Sequence, residues 1–138
     1  MGEKIDQFVE NLRDRLNVVD DRMDNLKASI ESAPAKTKAD VQARLDKAKA
    51  DHEARKHKIE ETKKRINASL EAKKEETEAK IAEWKDQREV KKLEKRAQRA
   101  EEYAAEQVWL AMVAIDEADY ASLEAIAARI EADEVAQL

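Results

Sequence analysis

The near absence of residues that end helices is the strongest constraint on how this chain folds. Its single glycine is Gly2 and its single proline is Pro34, so residues 35–138 contain neither. Inside a helix, glycine costs about 1 kcal/mol and proline about 3 kcal/mol relative to alanine. Asp, Glu, Lys and Arg make up 43% of the chain while the net charge is only -5, a balance that favours long helices over disorder. The sequence therefore predicts an all-α protein.

The first of three predicted segments, residues 1–33, has the pattern of an amphipathic helix. Large apolar residues recur every three or four positions, which places them on one helix face. They are Ile5, Phe8, Leu12, Leu16, Val19, Met23, Leu26 and Ile30. Pro34 then ends the helix, because proline disfavours helical geometry in the residue before it, and Ser32 is the predicted cap of the next helix. We expect a helical hairpin at this point.

The second segment, residues 34–102, is a charged arm that we predict to form one very long helix from about residue 35 to residue 100. Large apolar residues are sparse between residues 46 and 102. They are Ile59, Ile66, Leu70, Ile81, Trp84, Val90 and Leu93. The first segment is expected to fold back antiparallel along the first half of the arm, whereas the second half needs cover from another chain. The predicted fold is thus an elongated antiparallel helical hairpin or coiled coil with a short C-terminal helical segment.

The C-terminal segment, residues 103–138, is richer in large apolar residues. The run from Val108 to Ile115 is apolar on every helix face, and such a helix is normally buried on all sides. A bend is predicted at residues 115–119, where Asp116 or Asp119 would cap a new helix. We predict that the large side chains of this segment bind a partner. The predicted partner-binding residues are Trp109, Leu110, Met112, Val113, Ile115, Leu123, Ile126 and Ile130.

Charge is distributed unevenly along the three segments. Residues 1–34 carry 5 basic and 8 acidic side chains (-3), residues 35–100 carry 21 and 14 (+7), and residues 101–138 carry 1 and 10 (-9). Such asymmetry is typical of interaction surfaces. We expect the acidic terminus of one protomer to lie along the basic arm of another, which predicts a homo-oligomer, either a dimer or a tetramer.

The residues that support catalysis or cofactor binding are missing from the sequence. There is no cysteine, and no glycine-rich loop that could hold a phosphate. His52 and His57 lack the spacing of zinc and di-iron motifs, so we interpret both as helix-surface or helix-seam residues. We predict no enzyme activity, no metal and no cofactor. The longest apolar run has eight residues, so no transmembrane segment is expected, and a cytoplasmic location is the prediction.

The function predicted from the sequence is that of a non-catalytic structural or adaptor protein that self-associates, with a further protein partner left unidentified. Two alternatives stay open. Amphipathic helices can coat lipid or storage-granule surfaces, although the apolar face of the arm is narrow. The basic arm could bind nucleic acid weakly, although acidic residues are interleaved with its lysines and arginines.

Overall fold

The structure, a computed structural model, describes residues 2–138 and is 93% helical, with no strand in that range. The predicted all-α helical hairpin is confirmed. The helices are α1 (Glu3–Ser32), α2 (Lys38–Glu75), α3 (Glu78–Asp86) and α4 (Val90–Ala136), and a short 3-10 turn (Ala33–Ala35) joins α1 to α2.

Ion pairs between helices show the directions of the three long helices. They are Lys38–Glu134, Arg65–Glu106, Lys4–Glu94 and Arg22–Asp116. In the first two pairs the residue number on α4 falls as the residue number on α2 rises, so α4 is antiparallel to α2. In the last two the residue numbers on α1 and α4 rise together, so α4 is parallel to α1. Every extensive contact between α-helices includes α4. As predicted, α1 is antiparallel to α2, but it packs mainly against α4.

The prediction of one unbroken helix from about residue 35 to residue 100 is wrong. Helix α2 ends at Glu75, and Thr77 begins α3 by accepting a hydrogen bond from the backbone N–H of Lys80 at 3.2 Å. After the nine residues of α3 the chain reverses direction and continues as α4. The second half of α2 is therefore covered by α4 of the same chain.

The reversal after α3 depends on a left-handed residue that is not glycine. Arg88 has φ of 53°. The backbone N–H of Glu89 donates to the carbonyl of Trp84 at 2.8 Å, and that of Arg88 donates to the carbonyl of Lys85 at 3.2 Å. These two bonds form a Schellman motif, in which the left-handed position is usually occupied by glycine.

The connection after α1 lies where Pro34 predicted it, but the cap is a different residue. Thr37, not Ser32, caps α2: its side chain accepts from the N–H of Asp40 at 3.2 Å, and the Asp40 carboxylate accepts from the N–H of Thr37 at 3.4 Å. This reciprocal pair is a capping box. The Ser32 hydroxyl instead donates to the carbonyl of Ser29 at 3.2 Å.

The core is a thin line of side chains between the long helices. Its buried apolar residues are Val41, Ile66, Val113 and Leu123, one pair from α2 and one from α4. Thr62 is also buried, at 1% exposure. Most other large apolar side chains are only half-buried, as expected where three helices pack without a fourth to close the bundle.

Candidate self-association surface

Helix α4 contains all eight of the predicted partner-binding residues, and it packs against the other helices of its own chain. Val113 and Leu123 are buried there, with exposures of 6% and 3%. The other six are half-buried: Trp109, Leu110, Met112, Ile115, Ile126 and Ile130. The structure thus brings these side chains to the inside of the chain's own bundle. Their role in binding another molecule stays a prediction.

A line of exposed apolar side chains lies on α1 instead. Val9, Leu16, Met23 and Ile30 are spaced seven residues apart and are 56%, 47%, 55% and 46% exposed. Seven residues make almost two helical turns, so the four side chains follow one line along the helix. We call this line the outer stripe. Leaving four large apolar side chains half in water forgoes the free energy that their full burial would provide.

The outer stripe is exposed because α1 packs through a neighbouring line of residues. Leu12, Val19 and Leu26 are half-buried towards the bundle. Beyond them, on the side away from the outer stripe, the polar residues Arg22 and Ser29 also turn inward. The apolar face of α1 is therefore wider than the surface that its own chain covers.

A charged cluster where the three long helices meet fixes the rotation of α1. Asp116 of α4 accepts from Arg22 of α1 and from Arg55 of α2, the latter at 3.1 Å. Ser29 of α1 accepts from Arg44 of α2. These bonds hold the polar side of α1 against the bundle, so the outer stripe faces solvent. The new helix predicted to begin at residues 115–119 is not formed, since α4 continues through them and Asp116 pairs with arginines rather than capping a helix.

The same cluster lines a polar groove of about 450 Å³ between α1 and α2, with α4 as its floor. Its lining residues are Arg22, Arg44, Lys47, Ala48, Asp51, Arg55, Asp116, Asp119 and Leu123. Both signs of charge are present, and no group of three metal-ligating side chains occurs among the described residues. His52 lies next to the groove on Glu117 at 2.5 Å, while His57 pairs with Glu61 on the surface of α2 at 3.0 Å.

Four charged residues run beside the outer stripe, also at intervals of seven. Asp6, Arg13, Asp20 and Lys27 alternate in sign, and all four are exposed. None of them forms an ion pair within residues 2–138. We call them the charged row. Neither this row nor Val9 belongs to the apolar pattern predicted from the sequence, which passes from Ile5 and Phe8 directly to Leu12. The strict interval of seven that starts at Val9 is the signal that identifies them.

Comparisons with protein-family models, curated proteins and solved structures find no match to this chain. Among the described residues, no helix combines the length and apolar composition needed to cross a bilayer.

Proposed function

We propose that this chain is a non-catalytic structural or adaptor protein, located in the cytoplasm, that self-associates through the outer stripe of α1. The observation that carries the proposal is the line of four half-exposed apolar side chains at heptad spacing. Heptad spacing is the pattern by which one helix packs along another, and a second helix is the surface that fits it best. Burying each such side chain contributes about 1–2 kcal/mol.

The opposite charges of the basic arm and the acidic terminus pair with each other within the bundle. The acidic terminus lies antiparallel to the basic arm of its own chain, whereas the sequence analysis expects it along the arm of another protomer. The pairs include Arg55–Asp116 and Arg65–Glu106, at 3.1 and 2.9 Å. The proposal therefore places self-association on α1 instead of on the charges of α2 and α4.

The two alternatives have less support from the described surface. The outer stripe is one residue wide, and the charged row beside it has no net charge, so it offers no net attraction to anionic lipid headgroups. Several basic residues of α2, among them Arg55 and Arg65, already pair with carboxylates of α4 and are not free to contact phosphates.

Sedimentation equilibrium at micromolar concentration and moderate salt tests the proposal. We expect a mass above the 15.8 kDa of one chain for the wild type, and a mass of one chain for Leu16→Asp. Val18→Asp is the matched control, because Val18 is 42% exposed but lies nearly opposite Leu16 around α1. Circular dichroism verifies that all three proteins are helical. A wild-type chain that sediments as a monomer would overturn the proposal.

A further inference from the structure

We infer that the outer stripe binds α1 of a second copy in the antiparallel direction, with Leu16 opposite Leu16 and Val9 opposite Met23 of the second copy. This inference rests on the proposed function and adds the partner, its direction and its register. It follows from the charged row, which distinguishes between the arrangements that the apolar side chains alone would allow.

The direction follows from the position of the charged row on one side of the outer stripe. An antiparallel pair is related by a two-fold axis perpendicular to the helices, which brings the two charged rows together on the same side of the contact. In a parallel pair the rows lie on opposite sides and gain no partners. Only the antiparallel pair gives the unpaired charges of the row a partner of opposite sign.

The register follows from the alternation of sign along the row. With Leu16 opposite Leu16, Arg13 lies beside Asp20 of the second copy and Asp6 beside Lys27, so four pairs of opposite charge form across the two-fold axis. A shift of seven residues would place Arg13 beside Lys27 and Asp20 beside its own counterpart. Like charges at such positions disfavour a pairing, which is how charged rows select coiled-coil partners and registers.

The inferred register pairs the outer stripe with itself over three levels. Val9 faces Met23, Leu16 faces Leu16 and Met23 faces Val9 of the second copy. Ile30 reaches the level of Gly2, about one turn from the exposed Ile5 (49% exposed). Successive contacts lie about 10 Å apart for each seven-residue step.

Disulfide trapping tests direction and register directly, because the chain has no cysteine of its own. The variants Val9→Cys, Met23→Cys and Ile30→Cys are made singly in the full chain and mixed in pairs under mild oxidation. We expect the Val9→Cys and Met23→Cys mixture to form a mixed dimer faster than either variant forms a dimer with itself. Facing stripe residues of packed helices approach within the Cα distances that a disulfide spans.

The other products of trapping would overturn the inference in defined ways. Preferential dimers of Val9→Cys with itself would show a parallel pair, and mixed dimers of Val9→Cys with Ile30→Cys would show the shifted register. In both cases the self-association of the proposed function would stand and the inferred geometry would be wrong. A wild-type chain that is monomeric by sedimentation would instead overturn the proposed function.

Charge reversal tests the ion pairs independently of cysteine chemistry. Arg13→Asp should weaken dimerisation about tenfold, since each dimer loses two attractive pairs and gains two repulsive ones. Asp20→Arg should act similarly, and the double variant Arg13→Asp with Asp20→Arg should restore wild-type affinity. Asp14→Arg, an exposed position away from the row, is the control for net charge. Failure of the double variant to restore affinity would contradict the inferred pairing.

Discussion

Asp116 is the side chain that joins the three long helices. It is 22% exposed and accepts from Arg22, which is 39% exposed, and from Arg55, which is 26% exposed. Removing the carboxylate would leave two partly desolvated guanidinium groups without their acceptor. We expect Asp116→Ala to lower the free energy of unfolding by about 1–2 kcal/mol, a value reduced by the remaining solvent exposure.

The control for this change is an ion pair on the surface of one helix. Glu71 and Lys74 pair at 3.0 Å within α2, and both side chains are more than 70% exposed. Glu71→Ala should change the free energy of unfolding by less than about 0.5 kcal/mol. Urea denaturation of both variants at one protein concentration measures the difference, and equal effects would show that Asp116 is no more than a surface charge.

The pair of Lys38 with Glu134 joins the start of α2 to the end of α4. The hydrogen bond to Glu134, and then its charge, raise the pKa of Lys38 above the ordinary value of 10.5. A raised pKa means that the pair stabilises the fold below pH 10.5 and that this contribution is lost as the pH rises through the folded-state pKa. Titration of Lys38 by NMR should show a pKa that falls in Glu134→Gln, whereas an unchanged pKa would exclude the pairing in solution.

Helix ends show where sequence reasoning succeeds and where it fails in this chain. Pro34 fixes the end of α1 by steric exclusion, and that boundary was predictable. Thr77 is a standard capping residue, but its signal is weak inside a run of helix-forming residues. Arg88 provides no signal at all, because the left-handed conformation that reverses the chain is normally marked by glycine or asparagine. The contacts of α3 with α4 override the local helix preference there.

The strained position at Arg88 leads to a prediction with an unusual sign. A non-glycine residue in the left-handed region costs roughly 1–2 kcal/mol. Glycine avoids this cost but loses more backbone entropy on folding, so only part of the cost is recovered. Arg88→Gly should therefore raise the free energy of unfolding by about 0.5–1 kcal/mol. Arg96→Gly, in the exposed interior of α4, should instead lower it by about 1 kcal/mol. Urea denaturation distinguishes the two, and destabilisation by both would refute the assigned Schellman turn.

Charge segregation along the chain predicts the pairing of the basic arm with the acidic terminus, which the sequence analysis assigns to two protomers and the structure places within one chain. The pairing occurs within one chain because the helix is interrupted after Glu75 and again after Asp86. These interruptions let the chain reverse and bring its own terminus back along the arm. Once α4 folds back, its large apolar residues are buried or half-buried within the chain, and the line of exposed apolar side chains lies on α1. The proposed association surface is therefore on α1, while binding by residues 109–130 stays a prediction.

The central position of α4 predicts how the fold responds to truncation. Because every extensive helix contact includes α4, a chain ending at residue 102 keeps α1 and α2 but loses most of the surface on which they pack. Isolated helices owe little stability to propensity alone, so we expect the cooperative thermal transition to disappear and the helicity per residue to fall. A chain ending at residue 132 is the control, since it removes one exposed ion pair, Lys38–Glu134. Circular dichroism melts compare the two, and a cooperative transition in the shorter chain would show that α1 and α2 fold without α4.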